Sequence, residues 1–125
     1  MYSQKVIDLF TAPHNAGVME NPSAVGVAGS PDCGDTTTLY LKIEGDKITQ
    51  AMFQTFGCAA AIASSSVLTD LLVGKTLSEA LKITNKDAVE ALGGLPEAKI
   101  HCSVMAEESV RAAVNDYLDR QAAQA

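Results

Sequence analysis

The sequence is poor in cysteine, in aromatic residues and in basic residues. Its 125 residues include three cysteines and no tryptophan, and 9 Lys+Arg stand against 15 Asp+Glu, a formal net charge of −6. Such a chain has little with which to neutralise a row of phosphates, which argues against general binding to nucleic acid or to anionic membranes. Three cysteines cannot all pair in disulfides within one chain, so at least one thiol would stay free.

Long apolar runs are also missing. The longest weakly polar stretch, 57–67, contains three serines and is much shorter than the ~20 residues that a membrane span needs. The N-terminal segment carries Lys5 and Asp8 and shows no export signal. These features predict a cytoplasmic protein whose thiols stay reduced.

The order of the periodic segments predicts an α+β fold. Strand-like or helix-like periods occur, in chain order, in a short helix capped by Ser3, strands at 24–30, 36–44 and 47–56, helices at 58–73, 76–83 and 85–92, and a last helix after Cys102 or Ser103. Strands followed by helices indicate a three-stranded antiparallel sheet packed on one face by helices. We expect one domain over 1–125, with a frayed tail at 118–125.

The same periods assign some side chains to faces. Val6, Ile7 and Phe10 are predicted to share the apolar face of the first helix. Glu107 and Glu108 are predicted to face water near the start of the last helix.

The three cysteines stand at the ends of predicted elements. Cys33 lies in a turn between two strands, while Cys58 and Cys102 stand at helix starts. Unpaired N–H groups and the helix dipole at a helix start favour an anion, which predicts a lowered thiol pKa. The thiolate is the form that binds metal or attacks sulfur.

Two further candidate ligands neighbour these cysteines. His101 precedes Cys102, and Asp35 follows Cys33 by two residues. Three cysteines with one histidine form a known zinc ligand set, and cysteine-rich sets with one substituted ligand also hold iron–sulfur clusters. The absence of a Cys-x-x-Cys pair makes the spacing a weak signal. Inert core cysteines, a surface His101 and a turn-forming Asp35 are the alternatives.

Three motifs in order resemble the iron–sulfur cluster assembly scaffold family of the IscU/NifU N-terminal type. They are Cys33-Gly34-Asp35, the stretch FQTFGCAAAIASSSVLTDLLVGKTL at 53–77, and Lys-Ile-His-Cys-Ser at 99–103. The likeness extends from Tyr2 to Tyr117. It implies a SufE/NifU-like α+β scaffold, not an enzyme, that assembles mainly 2Fe-2S clusters from iron and desulfurase-derived sulfur and transfers them to apo-proteins.

The resemblance also implies roles for single residues. Cys33, Cys58 and Cys102 are implied cluster ligands, and Asp35 or His101 is the implied fourth ligand. Cys102 is the implied persulfide acceptor. Zinc is an implied substitute for iron at the same five residues.

The implied partners are proteins. They are a cysteine desulfurase, a frataxin-like protein or a ferredoxin, and apo iron–sulfur acceptors. A homodimer that bridges one cluster is a further expectation, to which the resemblance assigns Tyr2. The segment 95–99 reads Leu-Pro-Glu-Ala-Lys instead of the family's Leu-Pro-Pro-Val-Lys. This departure argues against dependence on an Hsp70-type chaperone.

Two other classes of function compete with this interpretation. A small protein could hold a permanent structural zinc ion with the same cysteine, histidine and aspartate ligands. A thiol enzyme could use Cys102 with His101 as its base, but neighbouring residues in a chain rarely point at one another.

Overall fold

The computed structural model describes residues 2–30 and 35–124 and has an α+β architecture. Its elements are α1 (Gln4–Thr11), β1 (Ala24–Ser30), β2 (Asp35–Glu44), β3 (Lys47–Phe56), α2 (Ala59–Leu72), α3 (Leu77–Ala80), α4 (Asn85–Ala91), a 3-10 helix (Glu97–Lys99) and α5 (Ile100–Gln124). The predicted order of strands and helices is confirmed. The helix at the C-terminus extends through most of the tail that was expected to fray.

The sheet is antiparallel, with strand order β1-β2-β3. Leu39, Leu41 and Ile43 point into the core from β2, as period-two alternation requires. A register shift opposite Lys42 and Ile43 inserts Thr49 as an extra residue in β3. This bulge explains the irregular alternation of β3, because it changes which of its residues face the core.

The helices α2 and α5 cover one face of this sheet. α2 is buried on nearly all sides, and its small alanine and serine residues let it pack between β3, α1 and α5. α5 lies against β1 and β2. Among the described residues, none of the helices combines the length and the apolar character that crossing a membrane requires.

Gly26 in β1 sets the distance between the sheet and α5. A Cβ at this position would lie 2.3 Å from both the Ala113 nitrogen and the Ser109 carbonyl oxygen. No real Cβ tolerates such a contact with backbone atoms. The missing side chain of Gly26 therefore allows α5 to rest directly on the strand.

The first helix buries a different face from the predicted one. Ser3 caps α1 as expected, and its hydroxyl accepts a hydrogen bond from the Val6 N–H. Val6 and Leu9 are buried, whereas Ile7 and Phe10 are 46% and 49% exposed. The prediction for Ile7 and Phe10 was wrong because α1 buries the narrow stripe of Val6 and Leu9 against residues of α2 and α4, which leaves its other apolar side chains outside.

The last helix begins earlier than predicted. A 3-10 turn leads directly into α5 at Ile100, so Cys102 lies in its first turn and does not precede it. Glu107 also differs from the prediction, because its side chain is only 13% exposed, while Glu108 is exposed. Glu107 accepts a hydrogen bond from Arg111, one turn further along α5.

The free edge of β3 is covered by two other segments of the chain. The Gly17 N–H donates to the Phe53 carbonyl at 2.8 Å. Further along the strand, the Gly74 N–H donates to the Ile48 carbonyl at 2.8 Å. These bonds pair backbone groups of an edge strand that would otherwise face solvent.

Replacement of Gly26 by alanine is expected to destabilise the protein strongly. The new Cβ forces α5 away from β1, an overpacking that lowers the free energy of unfolding by about 3 kcal/mol. Urea denaturation followed by circular dichroism measures this loss. Gly45→Ala is the control, since Gly45 has φ of 67° and open space around it. Its left-handed conformation alone predicts a loss of about 1 kcal/mol. Equal losses for the two variants would contradict the close approach at Gly26.

Candidate metal centre

Three element ends bring Asp35, Cys58 and Cys102 together. One ligand atom from each of these residues lies within 4.8 Å of the other two. Asp35 is the first residue of β2, Cys58 precedes α2, and Cys102 lies in the first turn of α5. Side chains that are far apart in the sequence thus converge at one end of the sheet.

Cys58 is the N-cap residue of α2. Its backbone is extended, with φ of −77° and ψ of 174°, and its side chain makes no capping hydrogen bond. The thiol is half-buried and lies 3.6 Å from the Cys102 sulfur. A cysteine that leaves the helix N–H groups uncapped has its sulfur available for another partner.

Cys102 is fully buried in this structure. It packs with Ala60, Ala61 and Met105, at 0% exposure. Burial raises the pKa of its thiol to about 12, and the hydrogen bond and charge of Cys58 and the charge of Asp35 act in the same direction. The predicted lowering of this pKa at a helix start was therefore wrong for Cys102. Desolvation and two neighbouring acidic groups outweigh the helix dipole.

The Asp35 carboxylate lies beside Gly57, which leaves room for it next to Cys58 and Cys102. A Cβ on Gly57 would lie 3.0 Å from the Asp35 Cγ and Oδ1 atoms and 3.2 Å from the Ala61 Cβ. The carboxylate therefore rests against the Gly57 backbone, next to the start of α2. Gly57 was not among the predicted site residues, although its position directly before Cys58 was a signal.

His101 lies at the rim of this group. It is exposed, and its Nε2 atom is 3.6 Å from the Cys102 sulfur. Among the described residues, the group whose ligand atoms all lie within 4.8 Å of one another contains Asp35, Cys58 and Cys102 but not His101, so His101 lies beside these three and is not brought among them. Cys33, the third predicted cysteine ligand, lies outside the described residues, so its role stays a prediction.

Tyr2 packs beside the same group within the chain. Its half-buried side chain contacts the cluster that contains Cys102 and Met105, together with Leu95. The predicted role of Tyr2 in a dimer remains a prediction. Within one chain, the Tyr2 side chain packs against the apolar cluster that contains Cys102.

The donor set suits a thiophilic cation. A tetrahedral metal with metal–sulfur bonds of about 2.3 Å separates two sulfur ligands by about 3.8 Å. The distance of 3.6 Å between the Cys58 and Cys102 sulfurs is close to that value. A positive charge would also reverse the conditions that keep the Cys102 thiol protonated.

Comparisons with known proteins place the chain among similar sequences and folds. Residues 1–124 match the family model described as "NifU-like N terminal domain". The chain is 52% identical over 117 residues to iron–sulfur cluster assembly scaffold protein IscU 1 of Archaeoglobus fulgidus, an alignment that covers 94% of this chain and 76% of that protein. It is also 52% identical over 124 residues to nitrogen fixation protein NifU of Trichormus azollae, with 93% of this chain and 41% of that protein covered.

A solved structure supports the same fold. The crystal structure of a nitrogen-fixing NifU-like protein (N-terminal) from Brucella abortus has a TM-score of 0.72 to this chain. The two chains are 20% identical, and the match covers 94% of each. At that identity the likeness concerns the fold alone.

Gly57→Ala is expected to weaken metal binding while the fold persists. The added methyl group displaces the Asp35 carboxylate from its place beside the cysteines. Displaced supporting contacts typically cost about 10-fold or more in metal affinity. Anaerobic titration with Co²⁺, followed by its thiolate charge-transfer absorption, measures the change. Gly45→Ala, at the opposite end of β2, should bind Co²⁺ like the unmodified protein. Unchanged affinity in Gly57→Ala would contradict this account of Gly57.

Proposed function

We infer that this chain, which belongs to the NifU-like N-terminal domain family, is a scaffold on which iron–sulfur clusters are assembled for transfer to other proteins. The observation that carries this function is the convergence of Asp35, Cys58 and Cys102 at one end of the sheet. The cluster is the cargo of the scaffold and leaves it. The function therefore needs partners that supply sulfur and accept clusters.

The proposed ligands include the residues gathered at this end of the sheet. Cys58 and Cys102 would bind iron or cluster through sulfur, with Cys33 as the third cysteine. Asp35 or His101 would take the remaining position. An oxygen or nitrogen donor in place of a fourth thiolate holds a cluster less firmly and leaves a route for ligand exchange. Such a set suits a protein that must release its cargo, and 2Fe-2S is the cluster we expect.

We propose Cys102 as the residue that receives sulfur. Its thiolate would attack the terminal sulfur of a persulfide on a cysteine desulfurase, so that a new S–S bond forms to Cys102 and the desulfurase cysteine leaves as a thiolate. Two electrons per sulfur atom, from an electron-donor protein such as a ferredoxin, would then yield sulfide. Because Cys102 is fully buried, the side chains that cover it must move before the donor reaches it.

The remaining expectations follow from this chemistry. A reducing compartment such as the cytoplasm keeps the thiols free. Other expected partners are a frataxin-like protein and apo iron–sulfur proteins, and a homodimer could share one cluster. Zinc would bind the same residues as a substitute for iron.

Anaerobic reconstitution tests the proposed function. The protein, incubated with ferrous iron, cysteine, a cysteine desulfurase and a thiol reductant, should develop visible sulfur-to-iron charge-transfer absorption. That absorption should pass to an added apo-ferredoxin. Cys102→Ser should lose both the cluster and the mass increase of one sulfur atom seen after incubation with the desulfurase. A colourless protein that retains zinc through this treatment would overturn the proposal in favour of a structural zinc site.

Asp35→Ala is expected to lengthen the lifetime of an assembled cluster several-fold. Without the carboxylate, an exchangeable oxygen ligand and one negative charge beside the thiolates are removed. Loss of absorption after addition of a competing thiol gives the lifetime. Asp35→Asn is the matched variant that keeps the size of the side chain while it removes the charge. A cluster that decays faster in Asp35→Ala than in the unmodified protein would show that this role of Asp35 is wrong.

A further inference from the structure

Three side-chain hydroxyl groups form a hydrogen-bonded triangle in the protein core. The Thr37 and Thr55 oxygens are 3.0 Å apart, the Thr55 hydroxyl donates to Ser65 at 3.0 Å, and the Thr37 and Ser65 oxygens are 3.3 Å apart. Thr37 and Ser65 are 1% and 2% exposed. The triangle joins β2, β3 and α2 inside the core.

The triangle is complete in itself. Each hydroxyl has one hydrogen to donate and can accept in return. In a ring of three, every group donates once and accepts once. Buried polar groups need such partners, so loss of one hydroxyl leaves another without its bond. The ring therefore fixes the relative positions of the three elements more specifically than apolar contacts would.

Each corner of the triangle is connected through a strand or a helix to a residue of the candidate metal centre. Thr37 follows Asp35 by two residues and so shares its face of β2. Ser65 lies in α2, about two turns after the N-cap residue Cys58. Thr55 is the register partner of Thr37 and closes the ring from β3.

We propose that Thr37, Thr55 and Ser65 are positioning residues that hold Asp35 and Cys58 at ligand distance from each other. The proposal rests on the metal-binding function proposed above. The carboxylate is carried by β2 and the thiol by the start of α2. Among the described residues, the hydroxyl ring joins these two elements through side-chain hydrogen bonds, whereas Gly57 only leaves room for Asp35 beside the start of α2.

The helix α2 supplies matched controls on both sides of Ser65. Ser64 is fully buried, and its hydroxyl has no hydrogen-bond partner in the described part of the chain. Ser66 is fully buried and bonds to the backbone of His14, accepting from its N–H at 2.8 Å and donating to its carbonyl at 3.2 Å. Both serines lie in the same helix, but neither belongs to the ring.

Co²⁺ binding tests the proposal. Thr37→Val, which removes the hydroxyl and keeps the shape, should weaken Co²⁺ affinity about 10-fold and shift the absorption of the bound ion. Thr37→Ser, which keeps a hydroxyl at this position, should bind Co²⁺ with the affinity and the absorption spectrum of the unmodified protein. Ser66→Ala should lower the melting temperature but leave Co²⁺ affinity and spectrum unchanged, and Ser64→Ala should change neither affinity nor spectrum. If Thr37→Val fails to fold, Ser65→Ala removes the ring hydroxyl that α2 contributes and should weaken Co²⁺ affinity in the same way.

Two results would overturn this inference and leave the proposed function intact. One is a Thr37→Val or Ser65→Ala protein that binds Co²⁺ with unchanged affinity and spectrum. The other is a Ser66→Ala protein that loses affinity as much as the ring variants do, since the effect would then follow stability. Cys102→Ser separates these from failure of the proposed function. If it binds Co²⁺ as tightly as the unmodified protein, the metal centre itself is wrong and the inference falls with it.

Discussion

The close approach of α5 to β1 is the constraint on which the rest of the structure depends. At Gly26 the helix backbone takes the space of a side chain, which fixes the height of α5 above the sheet. Because α5 is one continuous helix, that contact also fixes where its first turn lies, and with it Cys102. The small residues of α2 let a second helix sit beside it. The spacing of the layers thus places the candidate metal centre.

The surroundings of Cys102 disfavour its thiolate form. Burial raises the pKa of the Cys102 thiol, Cys58 and Asp35 act in the same direction, and Lys99 opposes them. Metal binding must then release protons, and part of the binding free energy is used to deprotonate the site. Affinity is lowered in this way, which suits a protein that gives up its cargo.

Local patterns predicted most of the fold. Strand β3 was predicted with the bounds that the structure has, because a strand-like period is a signal carried by adjacent residues. The buried face of α1 was missed, since Ile7 and Phe10 are apolar and only the neighbouring helix decides which side is covered. The predicted ligands Asp35, Cys58 and Cys102 lie together in the fold, but the raised pKa of Cys102 was not predicted. Burial and charge at a convergence of three segments are properties of the folded chain.

The segments that pair with β3 limit how the sheet can grow. With Gly17 and Gly74 bonded to its edge, β3 presents few free backbone groups on which another strand could add. A scaffold must expose its cluster-binding end to partner proteins, and exposed surface of this kind favours aggregation. By closing the β3 edge with its own chain, the protein leaves β1, whose Ser30 pairs with Asp35, as the edge at which another strand could add.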